Sequence, residues 1–356
     1  MAPQSKRSAL RSVSEWERDA VILPLQRLLR PVDFVSQLLG SSVQGEAILP
    51  LFATLYWCLD QHKCVAGIWL VPLSEIANGV AKWLTRRPRP AWDDERVRLL
   101  AWSTEFSFPS SHSQLVFAIA HFMVAASAHP QAVTETPAFP CYMYAALVAL
   151  SRVHVGLHYP SDVVVGGAWG YLTSALYDCF LPRLLEMALG SPAQQLQQPM
   201  PPSATSSLHL LGLLSIPLLL SAVAVTLAYR QSLKSKREDD VSWKRRACQG
   251  KYATRELDPR GIPLGSYTSM LGVLAGLAIG EACKQHTPLA YPSSRRNAWL
   301  RAILGNTGLL AMFVAISEAT PKKPFALYHS LRFLRYAMVP IYILLLAPPA
   351  FKLAGI

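Results

Sequence analysis

The chain has 356 residues, 51% of them hydrophobic, and carries a formal charge of +12 from 34 Lys and Arg against 22 Asp and Glu. Its apolar residues lie in long uncharged blocks and not at helical or strand periods, which excludes an ordinary soluble core. The basic excess sits in three short motifs and in loops between blocks, so it suits anionic headgroups and an anionic substrate, and no nucleic-acid partner is expected.

The first 34 residues are basic but have no apolar stretch followed by a small-residue cleavage site, so no removable signal peptide is expected. Residues 23–39 mix Arg27 and Arg30 with Leu25, Leu28, Leu29, Phe34 and Leu38, the pattern of an amphipathic helix lying among headgroups. Apolar blocks follow at 48–57, 64–83, 115–128, 142–157, 163–181, 208–229, 266–283, 299–316 and 336–348. Several approach the roughly 20 residues that a bilayer helix needs. The expected fold is all-α, a polytopic integral membrane protein with about eight to ten transmembrane helices.

The chain divides into a basic amphipathic segment (1–42), a membrane core with the motifs (43–229), a basic loop (230–263) and C-terminal transmembrane helices (264–356). Residues 91–108, with Asp93, Asp94, Glu95, Arg96 and Arg98, read equally as a lid facing the substrate or as a solvated connector. Residues 190–207 are rich in Pro, Gln and Ser and read as a flexible connection. Residues 230–260 hold ten Lys or Arg against five acids, which fits a solvated loop or a headgroup-binding one. The six cysteines show no close paired spacing, so neither disulfides nor a zinc site follow from them.

Three stretches place ionisable groups at the ends of apolar runs: AKWLTRRPRP with Lys82 and Arg89, FPSSHS with Ser110, Ser111 and His112, and SRVHVGLHYPSD with Arg152, His158 and Asp162. Counting crossings puts all three on one face of the membrane. Lys82, Arg89 and Arg152 can neutralise a phosphate dianion, and Ser110 and Ser111 add donors at the start of a helix that begins at His112. His158 lies four residues before Asp162, close enough for the carboxylate to hold one ring N–H and free the other nitrogen to attack phosphorus. His112 then serves the leaving alkoxide and the hydrolytic water as acid and base. His154, His158 and Asp162 also have i, i+4, i+8 spacing, but Pro160 interrupts that face and the cations repel a divalent ion, so no metal and no cofactor are expected. Arg86 and Arg87 read as substrate contacts or as interfacial anchors. His121, His154 and His209 are given no role.

Lysine, six residues, Arg-Pro; Pro-Ser-x-His; and Ser-Arg, five residues, His, three residues, Asp together resemble the signature of the type 2 phosphatidic acid phosphatase (PAP2) superfamily, matched at Lys82, Arg89, Pro90, Pro109, Ser110, His112, Ser151, Arg152, His158 and Asp162. Ser111 stands where many members have glycine. The resemblance implies a PAP2-type helical core and a metal-independent lipid phosphatase working through a phosphohistidine. GEAILPLFATLYWCLD resembles the helix that precedes the first motif in sphingosine-1-phosphate phosphatases, although WLTRRPRPAW departs from that branch. That branch implies an endoplasmic reticulum enzyme with a lumenal site, acting on a long-chain base phosphate. Dolichyl diphosphate or phosphatidate is the alternative substrate, and a non-catalytic lipid-binding relative the alternative class. The basic N-terminus and the 230–260 loop fall on the motif face, for which the positive-inside rule implies the cytosol, opposite to the resemblance.

Overall fold

The structure is a computed structural model that describes residues 4–58, 61–127, 137–189, 204–234, 239–248, 252–254, 263–284, 297–321 and 324–355. Every regular element among them is helical. The chain falls into two compact units: Met1–Gln44, Ala77–Ser174 and Thr226–Leu264 form one, and Gly45–Ile76, Ala175–Val225 and Gly265–Ile356 the other.

The first unit opens with α1 (Gln4–Glu17), a π-helical turn (Arg18–Ile22), α2 (Leu23–Leu28), a 3₁₀ turn (Arg30–Val32) and α3 (Asp33–Ser41). The single amphipathic helix expected over 23–39 is therefore broken. Pro31 has no N–H to donate, and the chain tightens into the 3₁₀ turn around it. Trp16, Leu28, Phe34 and Leu38 are exposed along this segment. On its other side Ile22 joins Ala91, Val97, Val153 and Tyr159 in a buried apolar cluster, so the N-terminal segment is packed onto the motif region.

α4 (Gly45–Cys58) and α5 (Gln61–Thr85) lead to the first motif, and α6 (Pro90–Asp93) follows it. α7 (Ser111–Ser127), α8 (Ala138–His154) and α9 (Pro160–Leu189) carry the other two. α7 and α9 meet at Gly166 and Gly170, one turn apart, where an added Cβ would collide with the backbone of Ser110 and of Gln114. Backbones this close need residues without side chains. The contact also sets the start of α7 against the start of α9, where two of the motifs lie. Gly170→Ala is expected to cost about 1–3 kcal/mol by overpacking, read as a lowered thermal midpoint of the purified protein.

α10 (Ala204–Lys234) and α11 (Asp239–Ala247) enter the stretch expected to be a loop. α11 is packed: Trp243 is buried edge-on against Phe106 at 6.1 Å, and the Arg246 guanidinium donates to the carbonyls of Trp92 and Asp93. This part of the basic stretch is neither a solvated loop nor a free headgroup-binding one, because an aromatic and a cation hold it to the segment after the first motif. Residues 190–203, from the stretch read as flexible, lie outside the described residues.

The second unit contains α12 (Pro263–Lys284), α13 (Ala298–Glu318), α14 (Phe325–Ile341), a π-helical turn (Tyr342–Leu346) and α15 (Ala347–Leu353). Trp57 of α4 is its hub. The indole N–H donates to the Ile343 carbonyl at 3.1 Å, and the ring meets Phe351 edge-on at 5.4 Å. Buried Arg301 donates to the Trp57 carbonyl. Trp299, Ile303, Leu304, Leu310 and Val314 are exposed along α13, as lipid-facing residues of a spanning helix are.

Three helical stretches among the described residues are long and apolar enough to cross a bilayer: Leu264–Cys283, Ala298–Glu318 and Phe325–Leu353. The chain is an integral membrane protein by these helices. Three is fewer than the about eight to ten spans read from the apolar blocks. α4, α7 and α8 are 14, 17 and 17 residues long, shorter than a full crossing, and α5 and α9 carry ionisable motif residues in their end turns.

Candidate active site

Lys82 lies in the last turn of α5, and the helix stops at Thr85. Arg86, with φ at 51°, takes the left-handed conformation there and redirects the chain. Arg89 is extended, as a residue before proline must be, and Pro90 begins α6 where a missing N–H costs nothing. Two cations seven positions apart are thus set on either side of a sharp turn.

Ser110 caps α7, which begins at Ser111 and so one residue earlier than expected. The Ser110 hydroxyl accepts from the Ser113 hydroxyl at 3.0 Å and from the Ser113 N–H at 3.4 Å. The Ser110 N–H donates to the Asp162 carbonyl at 3.0 Å, tying the second motif to the third. Ser111 presents its hydroxyl to the Lys82 ammonium at 3.2 Å.

The third motif depends on how α8 ends. Gly156, at φ 79°, takes the left-handed position that closes the helix, and the N–H groups of Leu157 and His158 both turn back to the Arg152 carbonyl at 3.3 Å. This places His158 beside its own helix end. The Arg89 Nη1 lies 3.1 Å from His158 Nε2 and donates also to the Leu157 carbonyl at 2.9 Å.

Arginine has no acceptor, so the contact makes Nε2 the acceptor and puts the ring proton on Nδ1. Nδ1 faces Asp162 Oδ2 at 3.7 Å. That is an ion-pair distance and longer than the hydrogen bond expected from the i, i+4 spacing, because Oδ2 is already taken by the Ser107 hydroxyl and by the Tyr159 N–H at 2.8 Å. Burial, then Arg89, Lys82 and Arg152, holds the His158 imidazole well below the usual histidine range. It is therefore neutral at physiological pH, with burial contributing more than the cations.

His112, on the first turn of α7, has Lys82, Arg89, Arg152 and His158 as its electrostatic neighbours. Three polar atoms in this group, His112 Nε2, Arg152 Nε and His158 Nδ1, are buried without a hydrogen-bond partner. Buried polar atoms are normally paired, so unpaired ones grouped at one place mark a site built for something else to complete. Arg152 is itself almost fully buried, its guanidinium lying over Gly40 of α3, where any side chain would collide with it.

The sequence did not point to Glu105. Its carboxylate binds Lys82 at 2.6 Å, while its own carbonyl accepts from Arg89 Nε at 2.7 Å. Burial raises the Glu105 carboxyl, but Lys82, through charge and hydrogen bond, and Arg89 outweigh it and hold the group below its ordinary value. Burial likewise draws Arg89 down to about 10, against Glu105 and Asp162, so it stays charged at neutral pH. The only hint in the sequence was an acid five residues before Ser110, in a stretch read as lid or connector. That stretch is not a solvated connector: Ser107 holds Asp162, Phe106 accepts from Arg89, and Arg98 pairs with Asp33 of α3 at 2.7 Å.

His154 binds Ser36 at 2.7 Å and faces Asp33 at 3.2 Å, on the side of the N-terminal segment. Asp162 faces Arg87 and Ser107. The trio with metal-like spacing therefore does not converge, and no metal-holding group of three or more such side chains occurs among the described residues. Arg87, left between two readings, reaches Asp162 Oδ1 at 2.6 Å and Glu17 Oε2 at 2.7 Å.

Residues 65–184, which contain all of these motif positions, match the PAP2 superfamily, and residues 268–356 match the transmembrane extension of PAP2 superfamily phosphatases. Over these two stretches the chain is similar to the PAP2 superfamily. Among similar proteins, the decaprenylphosphoryl-5-phosphoribose phosphatase of Mycobacterium tuberculosis is 37% identical over 106 residues, 29% of this chain and 54% of that one. An Arabidopsis thaliana protein described as a probable lipid phosphate phosphatase beta is 27% identical over 133 residues, 32% of this chain and 62% of that one. The chain thus spans less than two thirds of the length of these relatives. The crystal structure of Aquifex aeolicus LpxE covers 44% of this chain and 94% of its own at 25% identity, with a TM-score of 0.38. The PAP2 match lies on the stretch that carries the site, and the extension match on the three spanning helices of the second unit.

Proposed function

We propose that this protein is a membrane lipid phosphate phosphatase that hydrolyses a phosphomonoester through a phosphohistidine on His158. The observation that carries the reading is the Arg89–His158 contact. It selects the tautomer with Nε2 unprotonated, and it places beside that nitrogen a guanidinium that can swing to a phosphate oxygen. Lys82, Arg89 and Arg152, with the Ser111 hydroxyl, take the phosphoryl oxygens and offset the charge that builds on them in an in-line displacement. Ser110 supports this group as the α7 cap and through its link to Asp162. Its cap and its N–H suit it to hold the phosphate-binding turn, with any phosphate contact made by its own O–H, which donates.

In the first step Nε2 attacks phosphorus and the P–O bond to the lipid breaks, with His112 donating a proton to the leaving alkoxide. In the second, His112 takes a proton from water as the oxygen attacks phosphorus, the P–N bond breaks, and phosphate leaves. Asp162 balances the positive charge on the His158 ring while the P–N bond exists. No step uses a metal.

For the lipid, the helix before the first motif favours a long-chain base phosphate such as sphingosine-1-phosphate, and with it an endoplasmic reticulum membrane and a lumenal site. The name of the Mycobacterium tuberculosis relative, a phosphatase of a decaprenyl-linked phosphate, favours a second reading, a prenol-linked phosphate such as dolichyl diphosphate. Purified protein is expected to release phosphate from one member of a panel of sphingosine-1-phosphate, dolichyl diphosphate and phosphatidate. Turnover should persist in EDTA and be blocked by orthovanadate, which mimics the five-coordinate phosphorus. No release from any of the three, or loss in EDTA restored by a divalent ion, would overturn the reading.

A further inference from the structure

Glu17 closes α1 and has 3% of its surface exposed, although it belongs to a segment whose neighbours Trp16 and Asp19 lie open. A buried carboxylate needs partners, and both of its oxygens have one. Oε2 takes Arg87 Nη2 at 2.7 Å, and Oε1 takes the N–H of Ser161 at 2.6 Å, in the first turn of α9. The same guanidinium donates through Nη1 to Asp162 Oδ1 at 2.6 Å and to the Ser161 hydroxyl at 2.7 Å, donates through Nη2 to the Ser14 hydroxyl at 2.9 Å, and lies over the Tyr159 ring at 4.0 Å.

One cation is therefore divided between two buried carboxylates. One of them faces His158. The sharing keeps Nη1 alone on Asp162. If Glu17 lost its charge, the planar fork would be free to close with both nitrogens on Asp162, the geometry Arg–carboxylate pairs favour. A carboxylate neutralised in this way offers less charge to an imidazole that becomes cationic.

We propose that Glu17 is a positioning residue of the catalytic centre, which by holding one arm of Arg87 leaves the Asp162 carboxylate charged toward His158. The proposal rests on the phosphatase reading above and extends the centre to a helix outside the PAP2-matched residues. It assigns α1 a part in the chemistry: a segment that presents Trp16 outward also delivers the carboxylate that sets Asp162. Because Glu17 acts only as the phosphohistidine forms and breaks, its loss should appear in kcat and leave the capture of the phosphate unchanged.

The test uses the full chain in detergent and the fastest lipid phosphate of the panel above. Glu17→Gln is expected to lower kcat about tenfold, one hydrogen-bond-sized change in the barrier. KM and the inhibition constant of orthovanadate should stay within about twofold. In an Arg87→Gln background the same substitution should change kcat by less than about twofold, since the shared guanidinium through which it acts on Asp162 is gone. Unchanged kcat in folded Glu17→Gln, an equal loss in both backgrounds, or a loss that appears only as a lower melting temperature would each overturn the proposal. Should Glu17→Gln fail to fold, Glu17→Asp is judged by the same readings. It keeps the charge but is one methylene too short to span Arg87 and Ser161 together, so it should also lower kcat; wild-type kcat in it would overturn the proposal. Wild-type turnover reports separately on the phosphatase reading, which fails if the unaltered protein releases no phosphate.

Discussion

Replacing His158 by alanine is expected to abolish both turnover and the phosphoryl-enzyme, a loss of at least about 10⁴ in kcat on the scale of other covalent triads. His158 is the ring whose Nε2 is freed of its proton by an arginine donor and whose Nδ1 faces a buried carboxylate. His112 has Arg152, Lys82 and Arg89 as its main charged neighbours, and these oppose the charge that a phosphorylated imidazole acquires. The readout is acid-labile ³²P on the protein beside phosphate release, from a preparation whose melt matches wild type. Alanine leaves a small void, and Arg89 keeps its bonds to the Leu157, Glu105 and Phe106 carbonyls, so the fold should persist. A variant that still labels and turns over would move the nucleophile elsewhere.

Asp162→Asn is expected to slow turnover by about 10⁴, and the geometry makes it a harsher change than a tautomer switch alone. Three donors converge on the carboxylate: Arg87 on Oδ1, the Ser107 hydroxyl and the Tyr159 N–H on Oδ2. An amide has one oxygen, so whichever way it turns, its NH₂ meets a donor. Turned toward Oδ2, it confronts the Tyr159 N–H and presents protons to His158 Nδ1, which favours the tautomer with Nε2 blocked. Turned toward Oδ1, it strands the Arg87 charge. Stability should fall as well, by about 1–3 kcal/mol for a buried donor left unsatisfied. Turnover, melt and orthovanadate affinity are measured on one preparation. Near-normal turnover would remove Asp162 from the mechanism, and lost turnover with lost vanadate binding would make its contribution one of architecture.

The parts of the site legible in the sequence were those set by local rules. Helix ends dictate where Lys82, Ser110 and Arg152 stand, and fixed offsets from those ends bring along Arg89, His112, His158 and Asp162. What stayed hidden was whatever answers these groups from far away. Glu105 meets Lys82 across 23 positions, Glu17 meets Arg87 across 70 and Ser161 across 144. No periodicity records such pairs, because they exist only after Gly166 and Gly170 have let α9 come down on α7 and the N-terminal segment has packed over both. The apolar blocks marked a helical membrane protein, and three of them stand among the described residues as helices long and apolar enough to cross a bilayer. The break at Pro31 and the packed α11 were missed for a common reason: composition marks a stretch as basic or amphipathic without saying which neighbour will take up its aromatic and cationic side chains.

The carboxylate of Glu105 has a consequence for how any anion enters. Three permanent cations with no anion of their own would collect whatever small anion the surroundings supply before a lipid arrived. Here one of the three is already occupied by a tethered anion, at a local concentration no dissolved ion matches. On the phosphatase reading proposed above, a headgroup would enter by exchange, displacing Glu105 from Lys82, and the carboxylate would return as phosphate departs. Binding by exchange gives up some affinity for the ligand and gains a fast reset. It also sets a threshold, since an incoming group must outbid a carboxylate, which a phosphate dianion can do and a sulfate ester or carboxylated lipid, with a single charge, does far less well.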